Sequence, residues 1–178
     1  TCSQKILDSG NYDPGVDDQI LRFFKRSKNP GILGRISGDS LVERLKNEYS
    51  ALCIFNTKKT AQNMYQELRG EGVYHLSTAM YPVHRKQVLT EIRKRLDEKK
   101  RCIVLSTSLV EAGVDLDFQT VYRQLAGVDS VIQAAGRCNR EGKRSLDESN
   151  TYSFSAAGKR VYAGAASADA GNRRTAYR

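Results

Sequence analysis

The sequence has few of the residues that build covalent or metal frameworks. Its four cysteines, Cys2, Cys53, Cys102 and Cys138, stand far apart with no C-x-x-C pair. That spacing excludes a disulfide framework and a zinc site. Cys53 and Cys102 fall inside apolar runs, where a thiol behaves as a small hydrophobe. Two histidines, His75 and His84, are too few for a mixed metal cluster. No apolar run approaches the ~18 residues that a membrane helix needs, and no secretory signal opens the chain. A reduced, cytoplasmic protein with no metal cluster of its own and no membrane partner is expected. The G-x-x-x-x-G-K-[ST] phosphate loop is also missing: "REGKRS" and "AGKRV" have Gly-Lys but neither the spacing nor a preceding strand. No D-E-x-H or D-E-A-D string is present to hold magnesium.

What is present points to one globular domain with an anionic partner. The 178 residues suffice for a single core, with 39% apolar and 28% charged residues. Lys and Arg total 29 against 20 Asp and Glu, a net charge of +9, which favours a polyanion such as nucleic acid.

Hydrophobic patterning is weak over residues 1–40. Ile20, Leu21 and Phe24 suit one short amphipathic helix, and "NPGILGRISG" reads as a loop. "SLVE", from Ser40 to Glu43, has the form of a capping box, and Leu41, Val42, Leu45 and Tyr49 follow at helical spacing. Beyond it, short apolar runs at 51–55, 73–76, 102–105 and 120–123 alternate with helical patterns, the last of them "DSVIQAAGRCNR". "TYSFS" suits a further strand. This alternation predicts an α/β domain, a mostly parallel sheet flanked by helices in three layers. Polar clusters at Asn56 and Thr57, Ser77 and Thr78, and Ser106 and Thr107 follow the strands, where such sheets bind ligands. The segment 84–101 holds eight Lys or Arg against three Asp or Glu. Its stripe of Val88, Leu89, Ile92 and Leu96 must face the sheet, leaving most charges in solvent. The Ala-, Gly- and Arg-rich end fits no core.

Two clusters suit phosphate chemistry. On a helix, Gln133, Arg137 and Arg140 stand at i, i+4 and i+7 and share one face. Forked guanidiniums on one face grip a phosphoryl group, although the spacing equally fits a solvated basic face. Ser106 and Thr107 are expected at a helix N-terminus, a place for an anion or simply for a Ser/Thr cap. Asp115 and Asp117 alternate in "GVDLD"; if extended, they point to opposite faces, which disfavours a shared metal and leaves one free for a ribose.

Taken together and in this order, "STSLVEAGVD" and "QAAGRCNR" resemble motifs V and VI of superfamily 2 helicases, and "CIFNTKKTAQNMYQEL" resembles motif IV. Longer strings, "HLSTAMYPVHRKQVLTEIRKRL", "STSLVEAGVDLDF" and "DSVIQAAGRCNREG", resemble the helicase part of the CRISPR-associated helicase-nuclease of type I systems. The resemblance covers roughly residues 50–155 and implies a second RecA-like lobe. It implies boundaries at 41–155, after a linker or short helix at 1–40 and before a tail at 156–178, an extension or an artefact. It makes Arg137 and Arg140 the arginines that reach the γ-phosphate, Gln133 a coupling residue, and Gly113 and Asp115 nucleotide contacts. Asn56, Thr57 and Thr107 match positions near the nucleic-acid backbone, with Ser77, Thr78, Ser106, His84 and Arg85 as further candidates, a capping or packing role for His84 staying open. Implied partners are single-stranded DNA, the first lobe and nuclease domain of the same parent protein, and the RNA-guided surveillance complex. The implied cofactor is ATP with Mg2+, held mainly by the first lobe. The family's nuclease needs a His-Asp pair, and this sequence has none. Two other readings stay open: a stand-alone nucleic-acid-binding or regulatory module, and a lobe from an RNA-directed helicase family.

Overall fold

The computed structural model describes residues 29–108 and 115–157. Along them run β1 (Asn29–Ser37), α1 (Gly38–Asn47), β2 (Ser50–Phe55), α2 (Lys58–Leu68), β3 (Val73–Leu76) and α3 (Pro82–Asp97). There follow β4 (Cys102–Thr107), β5 (Thr120–Gln124), α4 (Val128–Ala135), a 3₁₀ turn (Leu146–Glu148) and β6 (Asn150–Ala157). The strands form one six-stranded sheet in the order β1-β6-β5-β2-β4-β3, and every neighbouring pair is parallel. The expected α/β lobe is present.

Burial alternates along the strands because successive side chains point to opposite faces. In β2, Ala51, Cys53 and Phe55 join one core layer while Leu52 and Ile54 join the other, all of them fully buried. Leu41, Val42 and Leu45 of α1 and Ala61, Met64 and Leu68 of α2 cover the first face. Ile92 of α3 and Ala134 of α4 cover the second. Each large aliphatic buried in this way contributes roughly 1.5–3 kcal/mol, so β2 and its neighbour β4, both buried along their whole length, form the energetic centre. Cys53 and Cys102 pack as expected of small hydrophobes. Burial holds the Cys53 thiol well above its ordinary pKa and pushes that of Cys102 up to about 12, so both stay protonated.

Helix α3 is held differently. Ile92 is its one fully buried side chain, and Val88, Leu89 and Leu96 are only partly covered. A polar tether supplements them. Arg95 Nε donates to Tyr74 Oη at 3.0 Å, Arg95 Nη2 reaches Glu71 Oε1 at 2.7 Å, and Tyr74 Oη donates to Glu91 Oε1 at 2.8 Å. Burial, and then the hydrogen bond given to Glu91, raise the Tyr74 phenol pKa well above its ordinary value. Arg95 is therefore a packing residue; Arg93 and Lys94 remain exposed.

The N-terminal part of the lobe departs from expectation. "NPGILGRISG" is not a loop: residues 29–37 form β1, paired with β6 through a register shift between Ile32 and Arg35. Gly34 sits inside that shift at φ +65°, and Pro30 is tolerated because β1 is an edge strand. The cap of α1 is Ser37 rather than Ser40: Ser37 Oγ accepts from the Ser40 N–H at 3.2 Å. Tyr49 lies past the helix end and is half exposed. The short helix expected around Ile20, Leu21 and Phe24 lies outside the described residues.

Between α2 and β3 the chain turns at Gly72, with φ +76°. A Cβ there would stand 2.3 Å from the carbonyl oxygen of Arg101, just before β4. Gly72→Ala meets both a backbone clash and the left-handed penalty of about 1–2 kcal/mol. Chemical denaturation should show a destabilisation of at least that size; an unchanged midpoint would mean that the turn relaxes freely.

Candidate functional site

Parallel strands bring their carboxyl ends to one edge. Because β3, β4 and β2 are neighbours, Ser77 and Thr78, Ser106 and Thr107, and Asn56 and Thr57 form one row there. Local structure has already engaged several of these groups. Thr57 caps α2, its Oγ1 accepting from the Thr60 N–H at 3.1 Å. Ser77 is nearly buried and accepts from the Ala79 N–H at 3.2 Å. Ser106 and Thr107 are the last residues of β4, and the helix expected to follow them lies outside the described residues. Fully buried, Ser106 directs its hydroxyl at the carbonyl oxygens of Leu76 and Thr107, at 3.1 and 3.0 Å, so it faces the interior and not a ligand. Thr78 is exposed, and Thr107 lies at the rim of burial. His84 and Arg85 begin α3, His84 exposed and Arg85 half-buried.

Asn56 is held by a residue that the sequence patterns did not single out. Its Oδ1 accepts from Arg123 Nη1 at 2.7 Å, its Nδ2 donates to Leu125 O at 2.8 Å, and its backbone N–H donates to Gln124 Oε1 at 2.9 Å. Arg123, only 3% exposed, also donates to Gln124 O. A guanidinium buried in a strand needs such partners, and they lock Asn56 beside Thr57. The available signal was the charge itself, an arginine inside the apolar run "TVYRQ".

The arginines of "QAAGRCNR" lie elsewhere. Gln133, Arg137 and Arg140 do not share a helix face, because α4 ends at Ala135. The N–H groups of Arg137 and Cys138 turn back tightly onto Ala134 O and Ala135 O, and Asn139 then adopts φ +46°, which no α-helix can contain. The break places Cys138 against Phe118 in a parallel bridge: the Phe118 N–H donates to Arg137 O, and the Asn139 N–H to Phe118 O, both at 3.0 Å. The Cys138 thiol, its pKa pushed up to about 11 by burial, donates to Gln119 O at 3.2 Å. Gln119 precedes β5, so this cluster sits at the amino ends of the strands, across the sheet from the hydroxyl row. Gln133 is exposed, Arg137 is almost buried and Arg140 points outward.

The two aspartates meet this loop instead of diverging to opposite faces. Asp115 Oδ1 pairs with Arg140 Nε at 2.9 Å, with the two side chains 74% and 39% exposed. Asp117, 16% exposed, accepts the Arg140 N–H on Oδ1 at 2.7 Å and Arg144 Nη1 on Oδ2 at 2.8 Å. Gly113 lies outside the described residues. Among the described residues no group of acidic, cysteine and histidine side chains is placed to hold a metal, and no helix is long and apolar enough to cross a membrane. An outward guanidinium beside a carboxylate suits one side of a nucleotide: the cation for a phosphoryl oxygen, the carboxylate for a ribose hydroxyl.

Comparison with known proteins places the fold. The family model for "CRISPR-associated nuclease/helicase Cas3, C-terminal" matches residues 47–143, more than half the chain. The Cas3 of Methanothermobacter thermautotrophicus is 29% identical over 102 residues, covering 57% of this chain and 12% of the relative. The crystal structure of T. fusca Cas3-ATP superposes with a TM-score of 0.61 at 18% identity, covering 75% of this chain and 19% of that one. The C-terminal domain of the DEAD-box protein Dbp5 gives a TM-score of 0.56 at 18% identity, over 72% of this chain and 77% of the domain. The chain thus spans under a fifth of the Cas3 proteins it matches, yet most of one helicase domain. With that topology and that match, the chain belongs to the CRISPR-associated nuclease/helicase Cas3 family, as a RecA-like C-terminal helicase lobe.

Proposed function

We propose that this lobe is the second half of an ATP-dependent single-stranded DNA translocase acting in CRISPR interference, with the first lobe and the nuclease domain as its covalent partners and the RNA-guided surveillance complex as its loading platform. The observation that carries the reading is the state of Arg140, a guanidinium presented outward from a clamped loop. Among the described residues its side chain has a surface ion pair with Asp115, of the kind worth about 0–1 kcal/mol. A phosphoryl group entering from a facing lobe would displace Asp115 at little cost. Arg140 then stabilises the charge that develops in phosphoryl transfer, and Asp115, once released, accepts from a ribose. Arg137, almost buried, supports the loop from within, and Gln133 lies exposed for contact with the facing lobe. ATP with Mg2+ supplies the transferable phosphoryl group and is held mainly by the first lobe, whose phosphate loop this sequence lacks.

On the opposite edge we assign the DNA backbone to Thr107 and Thr78, with Asn56 and Thr57 as a rigid shelf and Ser77 as a buried support. Ser106 is removed from this set because its hydroxyl is turned inward. In this reading nucleotide and strand occupy opposite poles of one sheet.

Two measurements test this. The purified 178-residue chain should hydrolyse no ATP above background, with or without single-stranded DNA; steady-state turnover by the chain alone would refute the reading. DNA affinity of the full-length enzyme across a salt series should then separate the edge from α3. Thr107→Val should weaken binding about 3- to 10-fold, the worth of one hydrogen bond. Neutralising Arg93 and Lys94 together, leaving the Arg95 tether intact, should leave the log–log slope unchanged. Removing one phosphate-binding cation flattens that slope by ~0.7, so a change of about 1.4 would assign the strand to α3.

A further inference from the structure

Arg140 is held at two points by two carboxylates of unlike character. Asp115 takes the side chain, at Nε, in a largely exposed pair. Asp117 takes the main chain: it is mostly buried and uses both oxygens, one on the Arg140 N–H and one on Arg144 Nη1. Arg144 is itself tied back, since its N–H donates to Asn139 Oδ1 at 2.9 Å and its carbonyl accepts from Asn139 Nδ2 at 2.8 Å. Asn139 is 3% exposed and left-handed, and the Gly142 N–H, at φ +66°, donates to its carbonyl at 3.0 Å. The loop is therefore closed upon itself by Asn139 and Arg144 without Asp117. What Asp117 adds is specific: it fixes the amide of Arg140 to the stretch that leads into β5.

We infer that Asp117 is a positioning residue for Arg140, pinning its backbone so that the guanidinium can exchange Asp115 for a phosphoryl oxygen without the loop moving. The inference rests on the role proposed for Arg140 in phosphoryl transfer. Asp117 acts through the N–H of Arg140 and through Arg144. A pinned pivot matters because misplacing a catalytic cation by about 1 Å can cost ~100-fold in rate. An untethered pivot would leave nucleotide affinity, supplied mainly by the other lobe, almost unchanged.

The experiment is a double-mutant cycle in the full-length enzyme, reading kcat and KM for DNA-stimulated ATP hydrolysis together with the melting temperature. Asp117→Ala should lower kcat between ~10- and ~100-fold with KM for ATP little altered. Asp117→Asn, which keeps an oxygen for the Arg140 N–H, should retain more activity than Asp117→Ala, and it serves as the working variant if the alanine form does not fold. The combination with Arg140→Ala should be no slower than Arg140→Ala alone, because a residue that acts only through Arg140 has nothing left to position. Multiplicative effects in the double variant, or wild-type kcat in Asp117→Ala and Asp117→Asn while Arg140→Ala is crippled, would overturn the inference. Near-normal hydrolysis by Arg140→Ala would instead overturn the arginine's own assignment, and with it any need for a pivot.

Discussion

Strand β2 is hydrogen-bonded to β4 on one side and β5 on the other, parallel to both, and all of its residues are buried. Parallel neighbours cannot be joined by a hairpin, so each connection must leave the carboxyl end of one strand and return across a face to the amino end of the next. The faces are thereby occupied by helices, and polar side chains are driven to the two ends of the strands. The rest of the architecture follows from this. Apolar alternation in β2 sorts α1 and α2 to one layer and α3 and α4 to the other, and chemistry is left only at the poles.

At those poles the lobe uses two different materials. The carboxyl edge offers short neutral donors set into a rigid frame, with Asn56 fastened by the buried Arg123. The amino edge offers a long charged side chain on a loop whose main chain is fastened by Asn139, Asp117 and Arg144. Short hydroxyls suit a backbone that must be gripped and released repeatedly. A guanidinium on a fixed pivot suits a phosphoryl group that arrives from outside the lobe.

Most of the sheet was legible in the sequence because its strands are short runs of buried apolar residues with helical patterns between them. The strand that escaped, β1, fails that test for a physical reason: as an edge strand it needs one buried face only, and its bulge is made by glycine, which reads as a turn. The arginine cluster was legible as residues but not as geometry. Periodicity at 133, 137 and 140 suggests one helix face, yet the helix ends at Ala135 and Cys138 completes a bridge to Phe118 instead. The bonds of Arg123 to Asn56 and of Arg144 to Asp117 were not legible, because the partners stand 67 and 27 residues apart and spacing carries no information on such pairs.

The two borders of the sheet carry a consequence for behaviour in a crowded cell. A border strand exposes a ladder of unused donors and acceptors that can recruit another chain and seed aggregation. Here one border is β3, only four residues long, and the other is β1, interrupted at Ile32 to Arg35 and carrying Pro30, which has no donor to offer. Neither gives an incoming strand a straight run of partners. The irregularity that hid β1 from sequence patterning is thus also a safeguard, keeping a wholly parallel sheet from growing by adding strands that belong to other molecules.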